Sequence, residues 1–226
     1  MKTRSQTAIN IASFVIALLC LGSNIWMIKL TSPAAPAKPG NAFNEARYEW
    51  ILRSIIKSGV NYTIVHDCDI IISGVTVFVD VESKLGIRST FYLLPEAHYL
   101  DKQCIEMFKG LEQRGWHIGL HFSCLSRANG NETLALENLR TQTEYMKRFF
   151  KIETARAHGD VTHPKISNID LFLHHPEFFN SIGLRVIDYP QFNTVITDSG
   201  GKLVEPDYSN LNGPVLALLH SDWWAK

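Results

Sequence analysis

The strongest constraint on this chain is a recurring pattern: a short apolar run, a polar or acidic residue at its end, then a stretch with helical spacing. It is clearest at Tyr62 to Val65, followed by His66-Asp67-Cys68-Asp69. An apolar run this short, flanked by Asn61 and then by carboxylates, predicts a buried strand of a parallel sheet. In α/β folds ligands bind at the carboxyl ends of strands, so acids placed there are candidates for chemistry. A solvated turn is the competing reading of the same residues.

The pattern continues along the chain. Tyr48, Leu52, Ile55 and Ile56 recur at helical spacing between Asn44 and Ser58, and Gly59 stops that helix. In "IISGVTVFVDVESKLG" the β-branched content argues strand, but the Glu82 to Gly86 ending favours a glycine-capped helix. "IRSTFYLL" and "HIGLHF" read as strands around the helical "DKQCIEMFKGLEQRGW". A long helix is expected from Asn131 to Phe150, a short strand in "ETARAHG", a further helix from Asn168 to Ile182, and strands in "LRVIDY" and "PVLALLH". Repeated βα units with short connections imply a parallel sheet, open or closed into a barrel.

At 226 residues, with 46% hydrophobic and 19% charged residues, one globular domain is the default. A formal net charge of +0 and the lack of any long Lys/Arg run argue against a nucleic-acid partner. No charge occurs between Arg4 and Lys29, so residues 1–30 are long and apolar enough for a single transmembrane helix. A cleaved signal, giving a secreted product, is the rival. Residues 31–41, "TSPAAPAKPGN", read as a semi-extended linker, and residues 42–226 as the folded domain, expected outside the cytoplasm. Beyond Cys20 there are three cysteines, Cys68, Cys104 and Cys124, with neither a disulfide framework nor zinc-knuckle spacing. Nothing near them is positioned to activate a thiol nucleophile.

Parallel strands bring their ends to one face. Asp67 and Asp69, His121, His158, Asp188 and His220 each close a predicted strand, giving carboxylates and imidazoles around one mouth. Such a group serves metal binding and proton transfer. Taken singly, each histidine is more simply a hydrogen-bonded residue at a strand edge. Trp223-Trp224 has two readings as well, a sugar-stacking platform beside the mouth or a buried plug.

The order "TIVHDCD", "GIRSTFYLL", "RGWHIGLHF", "TARAHG" and "VLALLHSDWW" resembles the NodB-like polysaccharide deacetylases of the carbohydrate esterase family-four group, from about Tyr62 to Trp224. That resemblance implies a distorted (β/α) barrel with fewer than eight units. It also implies hydrolysis of N- or O-acetyl groups on a glycan with one divalent metal ion, usually zinc. Carried over, Asp67 matches the general base, Asp69 and His121 match metal ligands, His220 matches the general acid, and Arg156 matches the arginine that orients the base. Cys68 separates the two aspartates, which the family usually has adjacent. Leu125 stands where the family has its second metal histidine, and His158 at the next strand end is the candidate replacement. Hydrolytic zinc needs three protein ligands and an open position. With His158 the count is met; without it, a non-catalytic domain that binds carbohydrate or scaffolds glycan assembly is the better account. The expected partners are therefore an acetylated cell-envelope glycan and, through residues 1–30, the membrane.

Overall fold

The computed structural model describes residues 38–40, 42–159 and 163–224. The expected anchor at residues 1–30 and most of the linker lie outside them. Among the described residues no helix is long and apolar enough to cross a membrane.

The fold is a seven-stranded, wholly parallel sheet: β1 Tyr62–Cys68, β2 Thr90–Leu93, β3 His117–Phe122, β4 Thr154–Ala157, β5 Arg185–Val186, β6 Thr194–Thr197 and β7 Val215–His220. Their order is β5-β4-β3-β2-β1-β7-β6. This is a barrel sequence opened at one seam, since stepping round it visits the strands in chain order with the break between β5 and β6. A doubly wound sheet would reverse direction at a switch point, and this one does not. The distorted barrel expected from the sequence is therefore present as an open, curled form. Helices α1 Glu45–Ser58, α2 Val75–Leu85, α3 Lys102–Gln113, α4 Cys124–Arg127, α5 Glu132–Met146, α6 Asn168–His174 and α7 Pro176–Ser181 precede or connect the strands as far as β5. The last two connections carry only 3₁₀ turns.

Local chemistry explains most boundaries. Asn44, Asp101 and Asn131 accept hydrogen bonds from the first turns of α1, α3 and α5, occupying otherwise orphaned N–H groups. Gly86, at φ 70°, caps α2, so the ambiguous "VTVFVDVESKL" is helical as its ending suggested. Three expectations need correction. The helix expected over 168–182 is two helices broken at His175, because Pro176 offers no N–H and forces the residue before it out of the helical region. The "LRVIDY" strand shortens to Arg185–Val186 at an edge of the sheet. Strand β6 and the short helix α4 were not anticipated.

Strand alternation divides the molecule into two apolar layers. Ile64, Cys68, Phe91, Leu93, Leu120, Phe122, Ala217 and Leu219 face the helices in the main core. Val65, Tyr92, Leu216 and Leu218 form a separate cluster inside the curl, with Ile187, Phe192 and Val195 against it. Gly119 makes room there: a Cβ on it would lie 2.3 Å from the Tyr92 ring.

His66 belongs to the outer layer and explains the bland half of "HDCD". Its Nε2 lies 2.7 Å from Glu82 Oε1, and Glu82 also accepts from Tyr48 Oη at 2.6 Å, Ser89 Oγ at 2.8 Å and Trp116 Nε1 at 2.6 Å. Every group here is buried. Burial alone would raise the Glu82 carboxyl, but the hydrogen bonds from His66, Tyr48 and Ser89 hold it below the ordinary value. Glu82→Gln should therefore lower the unfolding free energy by about 3 kcal/mol in urea titration near neutral pH. Because the folded pKa is depressed, this contribution is present above the unfolded value and lost as pH falls through the folded one. The difference between wild type and variant should accordingly shrink in acid.

Candidate active site at the carboxyl ends of the strands

The inward-facing residue next along β1 after Val65 is Asp67, and in register beside it on β7 is His220. On the other side His121 of β3 pairs with Arg156 of β4. Thus the pleat that points Val65, Leu216 and Leu218 into the curl points a polar layer of Asp67, His121, Arg156 and His220 above them. Asp69 follows β1 directly, and His158 follows β4, its N–H donating to Phe122 O at 2.9 Å.

The six residues matched to roles by the resemblance, Asp67, Asp69, His121, Arg156, His158 and His220, converge, with Asp188 beside Arg156. His121 Nε2 lies 3.2 Å from Asp69 Oδ1 and 3.7 Å from Asp67 Oδ2, and His158 Nε2 lies 3.8 Å from Asp69 Oδ1. Arg156 Nε donates to Asp67 Oδ2 at 3.0 Å and its Nη1 to Ile187 O at 3.2 Å, with Asp188 Oδ1 3.8 Å away. His220 Nε2 faces the pair of aspartates, 3.9 Å from Asp67 Oδ2 and 4.0 Å from Asp69 Oδ2.

Asp69, His121 and His158 can each offer one ligand atom within 4.8 Å of the other two. Tetrahedral ligands about 2.0–2.1 Å from a zinc ion stand about 3.3 Å from one another, so the observed separations need only small side-chain adjustment. His121 Nδ1 is engaged by Arg156 O at 3.0 Å, which fixes the ring and turns Nε2 toward Asp69. Asp69 Oδ1 is buried yet accepts no hydrogen bond among the described residues, although two imidazoles face it. One carboxylate and two imidazoles make a donor set suited to zinc. Leu125, by contrast, lies in α4 and is packed into the main core.

The charges are strongly coupled. Burial opposes ionisation of Asp69, but the close approach of the His121 imidazole, with the His158 and His220 charges, brings it down to about 2. Burial likewise opposes a charge on His121, and Asp67 and Asp69 outweigh it and raise its pKa. For Arg156, burial is again outweighed, by Asp67, Tyr189 and Asp188.

One important residue escaped the sequence reading. Asp198, fully buried after β6, accepts from His220 Nδ1 at 2.6 Å, from the His220 backbone N–H at 3.0 Å and from Trp224 Nε1 at 2.5 Å. Its signal was present: "VITD" repeats the apolar-run-then-acid pattern of "TIVHD". The two tryptophans divide between their two readings, Trp224 being buried in the core and Trp223 exposed at the rim. Among the described residues no thiol is poised as a nucleophile. Cys68, Cys104 and Cys124 are all free and buried, and burial pushes Cys68 well above its ordinary pKa, Cys104 to about 11 and Cys124 to about 12.

Burial lowers the pKa of His220, but the Asp198 hydrogen bond and the Asp67, Asp198 and Asp69 charges raise it to about 9. A raised folded pKa adds stability that is complete below the unfolded value, about 6.5, and fades as pH rises through the folded one. Asp198→Asn should bring the His220 titration down toward its ordinary value in metal-free protein and flatten this part of the stability profile. Histidine NMR titration checks it, and an unmoved His220 would contradict the assigned cause.

No family model and no curated protein matches the chain. Among solved structures it is similar to a family 4 carbohydrate esterase from Bacillus anthracis, at 16% identity over 78% of each chain with a TM-score of 0.47. It is also similar to a CE4 esterase from Streptococcus mutans, at 15% identity over 80% of this chain and 81% of that one, TM-score 0.47. A third is the chitin deacetylase from the fungal pathogen Colletotrichum lindemuthianum, at 13% identity over 72% and 74%, TM-score 0.44. The likenesses are distant, and the functional reading rests on the residues of this chain.

Proposed function

We propose that the chain is a metal-dependent hydrolase that removes acetyl groups from an N- or O-acetylated cell-envelope polysaccharide or its precursor. The observation that carries the reading is the meeting of Asp67, Asp69, His121, His158 and His220 at the ends of β1, β3, β4 and β7. A divalent ion, zinc by the donor chemistry, would be held by Asp69, His121 and His158 and would supply Lewis-acid polarisation of the acetyl carbonyl and of water.

The remaining residues divide the proton transfers. Asp67 is the general base: Arg156 holds its Oδ2 at 3.0 Å, while Oδ1 has no hydrogen-bond partner among the described residues and is left to take a proton from water. Arg156 is a positioning residue in this scheme. His220 is the general acid. Asp198 engages its Nδ1 at 2.6 Å, so Nε2 faces the aspartates and carries the proton to the departing amine or alcohol. Two acid-base groups with opposite duties thus flank one ligand set. In this reading residues 1–30 anchor the protein and residues 42–226 lie outside the cytoplasm.

The purified full-length chain should hold about one zinc per molecule by elemental analysis and release acetate from N-acetylated chitooligosaccharide or O-acetylated xylan. His158→Ala should lose the metal. Asp67→Asn and His220→Ala should keep it and each lower kcat by about 10²–10⁴-fold. A chain that binds no divalent ion, even on titration, would replace the hydrolase reading with a carbohydrate-binding one.

A further inference from the structure

Around the mouth, on the side of β1, β7 and β6, the protein exposes apolar side chains that its own core does not need. Ile70 is 78% exposed, Ile71 50%, Val204 58% and Trp223 43%, and they differ from scattered exposed residues such as Leu173 in gathering at one rim. They are held as a unit. The Ile70 and Ile71 N–H groups both donate to Asp222 Oδ1, at 3.1 and 2.8 Å, and Ser221 Oγ donates to Ile71 O at 2.5 Å. Gly74 N–H reaches Ser221 O at 3.2 Å, closing the loop against the end of β7. Trp223 follows Asp222, and a Cβ on Gly201 would lie 3.7 Å from its ring. Val204 bridges Thr197 at the end of β6. The isoleucines are therefore fixed outward beside Asp69.

The chain enters the domain at the same edge. Helix α1 runs back toward the start of β1, so its first turn stands at the mouth: the Phe43 ring is 5.2 Å from that of Trp224, and Tyr48 is 5.7 Å from it. Arg47 Nη1 donates to Pro39 O at 2.9 Å, and Lys38 Nζ pairs with Glu205 at 2.9 Å. Lys202 is exposed alongside. The described chain therefore begins, at Lys38, on the mouth edge, and the sequence before it holds the charge-free span from Ser5 to Ile28.

We infer that this rim docks on a bilayer surface, with Ile70, Ile71, Val204 and Trp223 entering the headgroup boundary, Lys38 and Lys202 meeting anionic headgroups, and the mouth opening onto membrane-borne glycan. Aliphatic side chains and a tryptophan beside lysines suit that interface, and a short linker from an anchor favours the same orientation. A soluble polysaccharide would call for aromatic and hydrogen-bonding groups at Ile70 and Ile71, and they have none to offer. The inference rests on the proposed anchor and deepens the proposed substrate class.

The test uses the full chain with Cys20→Ser and one added cysteine, Ile70→Cys, Val204→Cys or, at the opposite end of β1, Asn61→Cys. The other native thiols are buried. Each variant carries an environment-sensitive fluorophore and is reconstituted in vesicles of phosphatidylcholine and phosphatidylglycerol, with or without spin-labelled phosphatidylcholine. Quenching at 70 and 204 should exceed that at 61 by about twofold or more. Equal or greater quenching at 61 overturns the inference while leaving the anchor intact. Shielding at 70 without lipid assigns the rim to a second copy of the chain and overturns it too. Failure to float with vesicles removes anchor and docking together. Zinc content and acetate release from soluble substrate, measured on the same preparation, report the hydrolase reading separately.

Discussion

Everything at the mouth depends on the register of parallel pairing between β1 and β7 and between β3 and β4. Asp67 stands beside His220, and His121 beside Arg156, with the same pleat that buries Val65, Leu216 and Leu218 beneath them. A slip of one residue would exchange the two faces of a strand, sending Asp67 into the apolar layer under the helices and His66 into the mouth. That slip is opposed on both sides. His66 is tied to Glu82 outside the curl, and Asp67 is tied to Arg156 within it. Two buried polar networks, one on each face of β1, thus specify a single alignment for neighbouring residues of the same strand.

A second consequence of the winding is that residues far apart in sequence share one electrostatic environment. Asp69 and His220 are separated by most of the domain, yet each figures in the ionisation of the other. Burial opposes both charges, and it is outweighed mainly by His121 at Asp69 and by Asp198 and Asp67 at His220, with a smaller contribution from each to the other. Asp198 extends this outward by fixing His220 and Trp224 together, so the end of β7 is joined to the core as well as to the mouth.

The sequence made legible what depends on period and punctuation. The apolar runs with polar ends marked β1, β3, β4 and β7 and hence the six site residues matched to roles, and Gly86 marked the end of α2. What it obscured depends on competition between signals. Pro176 splits a continuous apolar periodicity into two helices; β6 is short, with a mixed polar-apolar pattern at a sheet edge; Asp198 was hidden because its strand was. Inside versus outside at His66 and Asp67 is a question of parity, and parity becomes visible only once a neighbouring strand fixes the register. The tryptophan pair shows the same limit, since adjacent indoles of identical chemistry divide between core and solvent.

The proposed chemistry turns on His158, which follows β4 and lies 3.8 Å from Asp69 across the mouth, whereas Leu125 packs into the core. Anomalous scattering at the zinc absorption edge, from crystals of the zinc-loaded full-length chain, tests it most directly. The account predicts one peak within coordination distance of Asp69, His121 and His158. A peak elsewhere, or density for His158 turned away from the other two with no ion between them, would contradict it.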